Sequence, residues 1–149
     1  MRPYDPWVDL EQRGDIEYIE DDGLPRGNGW WVRWLRLVVV RADLHPTHKR
    51  CVVAHELVHA DHDDVQLAGR GPDGHRLGRR QEARADREAA RKLIRIDDLV
   101  AALTAHADPT NVAHELDVTG DVLRTRLEHL TADERVAVCT VLADIEHAA

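Results

Sequence analysis

Residues 50–61 read Arg-Cys-Val-Val-Ala-His-Glu-Leu-Val-His-Ala-Asp, and everything around them is placed by how this stretch folds. Val52, Val53, Ala54, Leu57 and Val58 make it apolar on several sides, which predicts a largely buried helix running from about Lys49 to Asp61. Pro46 suits the first turn of that helix and Thr47 is a candidate cap. His55 and His59 stand four apart, so on a helix they are offset by about 40° and one turn of rise. Both imidazoles can therefore reach one ion. Glu56 lies about 100° round from His55, beside that point but off the ligand line.

A carboxylate so placed can take a proton from a metal-activated water and pass it to a leaving amine. This is the H-E-x-x-H arrangement of zinc-dependent proteases. Burial of two imidazoles and a carboxylate costs several kcal/mol unless something satisfies them, and a metal satisfies all three. A catalytic zinc needs a third protein ligand and one open position. The long-spaced metzincin pattern fails, because its third histidine would fall on Val65. His62 is near in sequence, yet a straight helix carries it past the ion. Glu82, in Gln81-Glu82-Ala83-Arg84-Ala85-Asp86, is the better candidate, because a short loop can fold the next helix back onto the first. Asp86 is four residues on and shares the face of Glu82, where it can accept a hydrogen bond from a ligand histidine. Ala83, Ala85, Ala89 and Ala90 are small enough to let the two helices approach closely.

Working outward toward the N-terminus, Trp30 to Arg41 is rich in Trp and Val and predicts one long or two short strands. Asp15 to Glu20 alternates apolar and charged residues, as a half-buried strand does. A small antiparallel sheet is the expectation. All four tryptophans fall in the first 34 residues, so bulky packing is expected there. Toward the C-terminus, 63–78 reads as loop, with four glycines and a proline. Helices are predicted over Arg79–Ile96 and Leu99–Ala105, the latter with an aspartate cap. Two short helices follow between Thr110 and Leu130, and a capping box at Thr131–Glu134 opens a last helix to about His147.

The length of 149 residues suits one domain or a core with a small appendage. Its longest apolar run, Leu37 to Val40, is strand-sized, far short of the roughly 18 residues of a membrane span. The start, MRPYDPWVDLEQ, has no apolar stretch of the signal-peptide kind, so a cytoplasmic location is expected. Cys51 and Cys139 have no zinc-site spacing and read as free thiols. Net charge is −8, and from Asp97 onward eleven acids face three arginines. That half of the chain repels nucleic-acid phosphates, so direct DNA binding is not expected.

The run Ala54-His-Glu-Leu-Val-His59 after a strand, followed by Glu82-Ala-Arg-Ala-Asp86-Arg-Glu-Ala-Ala90, resembles the ImmA/IrrE family of metallo-endopeptidases of bacteria, phages and mobile elements. The resemblance starts near Trp30 and takes in about two thirds of the chain. It implies His55, His59 and Glu82 as zinc ligands, Glu56 as catalytic, and Asp86 as support for a ligand. It also implies limited cleavage of a protein substrate such as a helix-turn-helix repressor. Two departures stand out: Glu88 where the family has a core Phe, and Lys92-Leu-Ile-Arg95 where it has Leu-Leu-Met-Pro.

Asn111 to Leu127 has helix-turn-helix spacing, with Ala113, Leu116, Val118, Leu123 and Leu127 at the packing positions. A DNA reading would put Arg124, Thr125 and Arg126 in a groove. A helical closure of the core, or a docking surface for protein, fits the acidic charge better. The expected fold is thus α+β: a small antiparallel N-terminal sheet on a zincin-like helical core over 1–106, then a helix-turn-helix-like module over 107–149. The expected activity is zinc-dependent endopeptidase, the rival being a zinc-braced regulatory module that binds a partner without cutting it. An oxyanion-stabilising group would come from His62, His75 or Arg79, the nearest by sequence, among which the sequence does not choose.

Overall fold

The structure is a computed structural model that describes residues 2–65 and 71–149. It is α+β, with seven helices and one three-stranded sheet among those residues. The chain opens with helix α1 (Pro6–Gln12), for which Asp5 accepts a hydrogen bond from the Trp7 N–H at 3.0 Å and Pro6 supplies the preset first turn. Strands β1 (Glu17–Glu20), β2 (Gly29–Val32) and β3 (Leu37–Val40) follow, with a 3-10 turn at Arg33–Leu35 joining the last two. Arg36 closes that turn in the left-handed region (φ 50°).

The sheet order is β1-β3-β2, with β2 antiparallel and β1 parallel to β3. The sheet is mixed, which corrects the expected antiparallel one. Leu37-Val-Val-Val40 is apolar at every position and takes the centre, as a strand covered on both faces does. Glu17 and Glu20 keep β1 at an edge, and the polar link 21–28 carries the chain past β3 to the other edge. Of the tryptophans, Trp31 is buried while Trp34, in the 3-10 turn, is 82% exposed, so the expected packing role fails for Trp34.

Helix α2 (Pro46–Asp61) is gripped on two sides. Val53, Leu57 and Ala60 meet Leu10 of α1 and Trp31, Val38 and Val40 of the sheet. Cys51, Ala54 and Val58 meet a second cluster built from α3 (Gly71–Leu93), α4 (Ile96–Ala105), α5 (Pro109–Glu115), α6 (Gly120–Glu128) and α7 (Ala132–Ala148). A fully buried side chain such as Leu57 contributes about 2 kcal/mol, so α2 is fixed firmly from both clusters.

Several boundaries differ from expectation. The α2 cap is His45, whose ring nitrogen accepts from the Thr47 N–H at 3.2 Å, while the Thr47 hydroxyl bonds Asp117 instead. Helix α3 begins at Gly71, well before Arg79, and 66–70 of the expected loop lie outside the described residues. Ala85, Ala89 and Ala90 are buried in α3, but Ala83 is exposed and has no part in helix approach. Arg95 occupies the α4 cap position, and Asp97 and Asp98 sit in its first turn, where they favour the helix dipole. The Thr131–Glu134 capping box of α7 is present. Arg126, placed in a groove by a DNA reading, is 3% exposed and paired with Glu134 at 2.7 and 3.0 Å.

Candidate metal centre

The third side of α2, free of both clusters, carries the polar residues. One turn apart, His55 and His59 bring their Nε2 atoms to 3.0 Å from each other. Glu82, from the middle of α3, places Oε2 3.1 Å from His55 Nε2 and Oε1 3.2 Å from His59 Nε2. One ligand atom from each residue lies within 4.8 Å of the other two.

What stands behind the imidazoles decides what this cluster can hold. His55 Nδ1–H donates to Asp86 Oδ1 at 2.9 Å, and His59 Nδ1–H donates to Asp64 Oδ2 at 2.8 Å. Arg84 in turn grips Asp64 at 2.5 and 2.6 Å. With both Nδ1 protons committed, the neutral rings face each other through bare Nε2 lone pairs, and both face a carboxylate. Three acceptors with no donor between them are unfavourable unless a cation sits among them. Donors about 2.0–2.1 Å from one tetrahedral ion lie roughly 3.3 Å apart, close to the spacings found. These residues fit a divalent metal.

The electrostatics agree. Burial pulls the His55 pKa down, but Asp86 and Glu82 outweigh it and push it up to about 10. For His59, burial is likewise outweighed by Glu82 and Asp64, and its pKa rises. The Glu82 carboxyl is driven well below its usual range by its bonds to the two imidazoles. The cluster is a negative well that takes up protons when no metal fills it, so metal and protons compete for the same lone pairs.

Glu56 is 6% exposed, and burial pushes its pKa up, against the opposing pull of His55 and His59. The Trp31 backbone N–H donates to its carboxylate, and among the described residues no lysine or arginine is paired with it. Strand β2 comes so close that a Cβ on Gly29 would stand 2.9 Å from Glu56 Oε1 and collide with Val52. Only glycine fits there.

A family model described as the IrrE N-terminal-like domain (Peptidase_M78) matches residues 18–128, from β1 to the end of α6. The chain belongs to this peptidase family. Comparison with curated proteins and with solved structures found no match. Family membership makes this a metallopeptidase-type domain and implies a metal, for which His55, His59 and Glu82 are the residues brought together.

Two cavities meet at the centre of this peptidase. One, of about 300 Å³, runs from Glu56, His59 and Glu82 past Trp30 to Gly78 and Arg79. The other, of about 460 Å³, runs from His55, Glu56, Glu82 and Asp86 to Thr119 and Thr125 beside α6. Gly29, Glu56 and Glu82 line both. His62 points elsewhere, its Nε2 2.9 Å from Glu88, and takes no part in the cluster. Glu88 is its partner there. His75 and Arg79 both line the first cavity. Gly29, Asp64 and Arg84 are the site residues that sequence reasoning passed over. Gly29 ends the run Asp21–Gly29, whose three glycines and a proline read as loop. Asp64 follows His59 by five residues, and only the left-handed turn at Asp63 (φ 52°) brings it back under the imidazole.

Proposed function

We propose that this chain is a zinc-dependent endopeptidase with an H-E-x-x-H plus Glu ligand set, cutting a regulatory protein at a limited number of positions. The observation that carries this reading is a buried carboxylate, Glu56, with no cationic side chain paired to it among the described residues, set beside three converging ligands. A zinc that only braced a fold would gain nothing from such a group, whose burial costs several kcal/mol. Two imidazoles and one carboxylate, with a corner left for solvent, are the donor set of catalytic rather than structural zinc.

Zinc held by His55, His59 and Glu82 would lower the pKa of a bound water toward neutrality and polarise the scissile carbonyl. Glu56 accepts the water proton as the oxygen attacks the carbonyl carbon, then delivers it to the amide nitrogen as the C–N bond breaks. Its raised pKa suits a group that must hold that proton between the two steps. Asp64 and Asp86 fix the tautomer and tilt of the two rings. Two cavities that share Glu56, and a β2 edge that among the described residues pairs only with β3, leave room for an extended chain to pass through rather than end there. That favours internal cleavage.

The repressor as substrate follows from the resemblance to ImmA/IrrE proteins. Two unpaired cysteines support a cytoplasmic setting, and no described helix is long and apolar enough to cross a membrane. The helical core is read as zincin-like, and α5–α6 as a wall of the cleft facing a protein substrate. Co-expression of a candidate repressor with wild type or with Glu56→Gln tests the function. Fragments with wild type alone, at equal zinc content, are expected; equal cleavage by the Gln variant would remove Glu56 from the chemistry.

A further inference from the structure

Helix α3 carries a glycine, Gly78, one turn before Glu82 and on the same face. Glycine inside a helix is costly compared with alanine, so its presence there calls for a reason. Crowding is not the reason: a Cβ built on Gly78 meets nothing within 4 Å. The space it leaves open belongs to the cavity of about 300 Å³ that contains Glu56, His59 and Glu82. Trp30 also lines it, and Val65, 43% exposed, stands at the same cavity with an apolar side chain unburied.

Resting on the metallopeptidase reading, we propose that this bay is the specificity pocket of the site, receiving a large apolar side chain of the substrate next to the scissile bond, with Gly78 setting its depth. Continuity with the metal centre argues for this occupant. A chain lying across Glu56 must project its neighbouring side chains into the two cavities, and here Trp30, Trp31, Val65 and the bare helix backbone at Gly74 and Gly78 give the wall its apolar part. A void of about 150 Å³ already accommodates benzene, so the volume is ample for a phenyl group. Glu56, His59 and Glu82 line the cavity at its metal end, where the peptide backbone would lie, and His75, Arg79 and Gln81 add polar groups along α3.

The probes are two hydroxamates, acetohydroxamate and 3-phenylpropionohydroxamate, which share a metal-binding head and differ in an aromatic arm. Their affinities for zinc-loaded wild type, Gly78→Ala and Gly78→Leu are measured by calorimetry, with melting temperatures alongside. Wild type is expected to prefer the phenyl compound by roughly tenfold or more, from the apolar area buried. Gly78→Leu should abolish that preference while leaving acetohydroxamate binding unchanged, and Gly78→Ala should reduce it. Both variants should melt no lower than wild type, with Gly78→Ala higher by about 2–5 °C, which separates a filled pocket from a damaged fold. A preference that survives Gly78→Leu, or is lacking in wild type that binds acetohydroxamate, overturns the pocket alone. Zinc-loaded wild type that binds neither compound overturns the metal-site reading and the pocket together.

Discussion

His59 is held from both ends: Nε2 faces Glu82, and Nδ1–H is bound by an Asp64 that is 8% exposed and itself clamped by Arg84. The anchor of His55, Asp86, is open to solvent by comparison. The two ligands should therefore respond unequally to loss of their anchors. Asp64→Ala is expected to lower metal affinity by about 10–100-fold, measured by competition with a chromophoric chelator, and Asp86→Ala by less. Glu82→Ala, which removes a ligand, should lose most of the metal. Glu56→Gln should keep it and lower cleavage by about 10²–10⁴-fold. The triplet His55, Glu56 and His59 was legible because helix geometry alone brings four-apart residues together. Glu82 and Asp86 were legible as a spaced pair on a second helix. Asp64 and Gly29 were not, because their roles depend on a left-handed turn and on a strand crossing a helix, neither of which has a local pattern.

Among the elements, the capping-box residue Glu134 has a second task. Its carboxylate holds Arg126, whose pull, helped by the Thr131 backbone N–H, outweighs the opposing effect of burial and takes its pKa down to about 2. A folded-state pKa below the unfolded one means stability that is present above the usual glutamate range and lost as pH falls from there through about 2. Glu134→Ala strands Arg126 in the core and should cost about 3 kcal/mol near neutrality. The difference from wild type in urea denaturation should shrink toward pH 2–3, and a constant difference would place the effect in the helix cap alone. Gly29→Val should reduce both stability and cleavage through the contact with Val52 and Glu56, since the strand must retreat from α2. The strands themselves were legible from Trp and Val content and from alternation. Their pairing was not, because a parallel neighbour for β3 depends on where the link 21–28 goes, and period-two patterning does not encode that. The early start of α3 was hidden by Gly71, Pro72 and Gly74, which read as loop.

At the scale of the whole molecule, one buried cluster takes in Ala54 and Val58 of α2, Ala85 of α3, Leu99 of α4, Val112 of α5, Leu123 of α6 and Val138 of α7. Residues on both sides of position 107 share it. Thermal unfolding should show one transition, and a chain ending at residue 106 should melt far below the full one or not fold, read by calorimetry. Six of the seven described helices and the acidic C-terminal half were visible in the sequence, whereas α1, a seven-residue helix at Pro6–Gln12, was not. The burial of Arg126 was not, since an arginine in a helix otherwise reads as surface. Glu82, Arg84 and Asp86 all reach across to the neighbourhood of the two imidazoles from five consecutive positions of α3. One extra residue inserted between 82 and 86 would swing Asp86 by about 100°, parting His55 from its anchor while leaving every hallmark letter of the sequence in view. Relatives that keep the letters but shift this short run by one place should accordingly hold their metal less tightly.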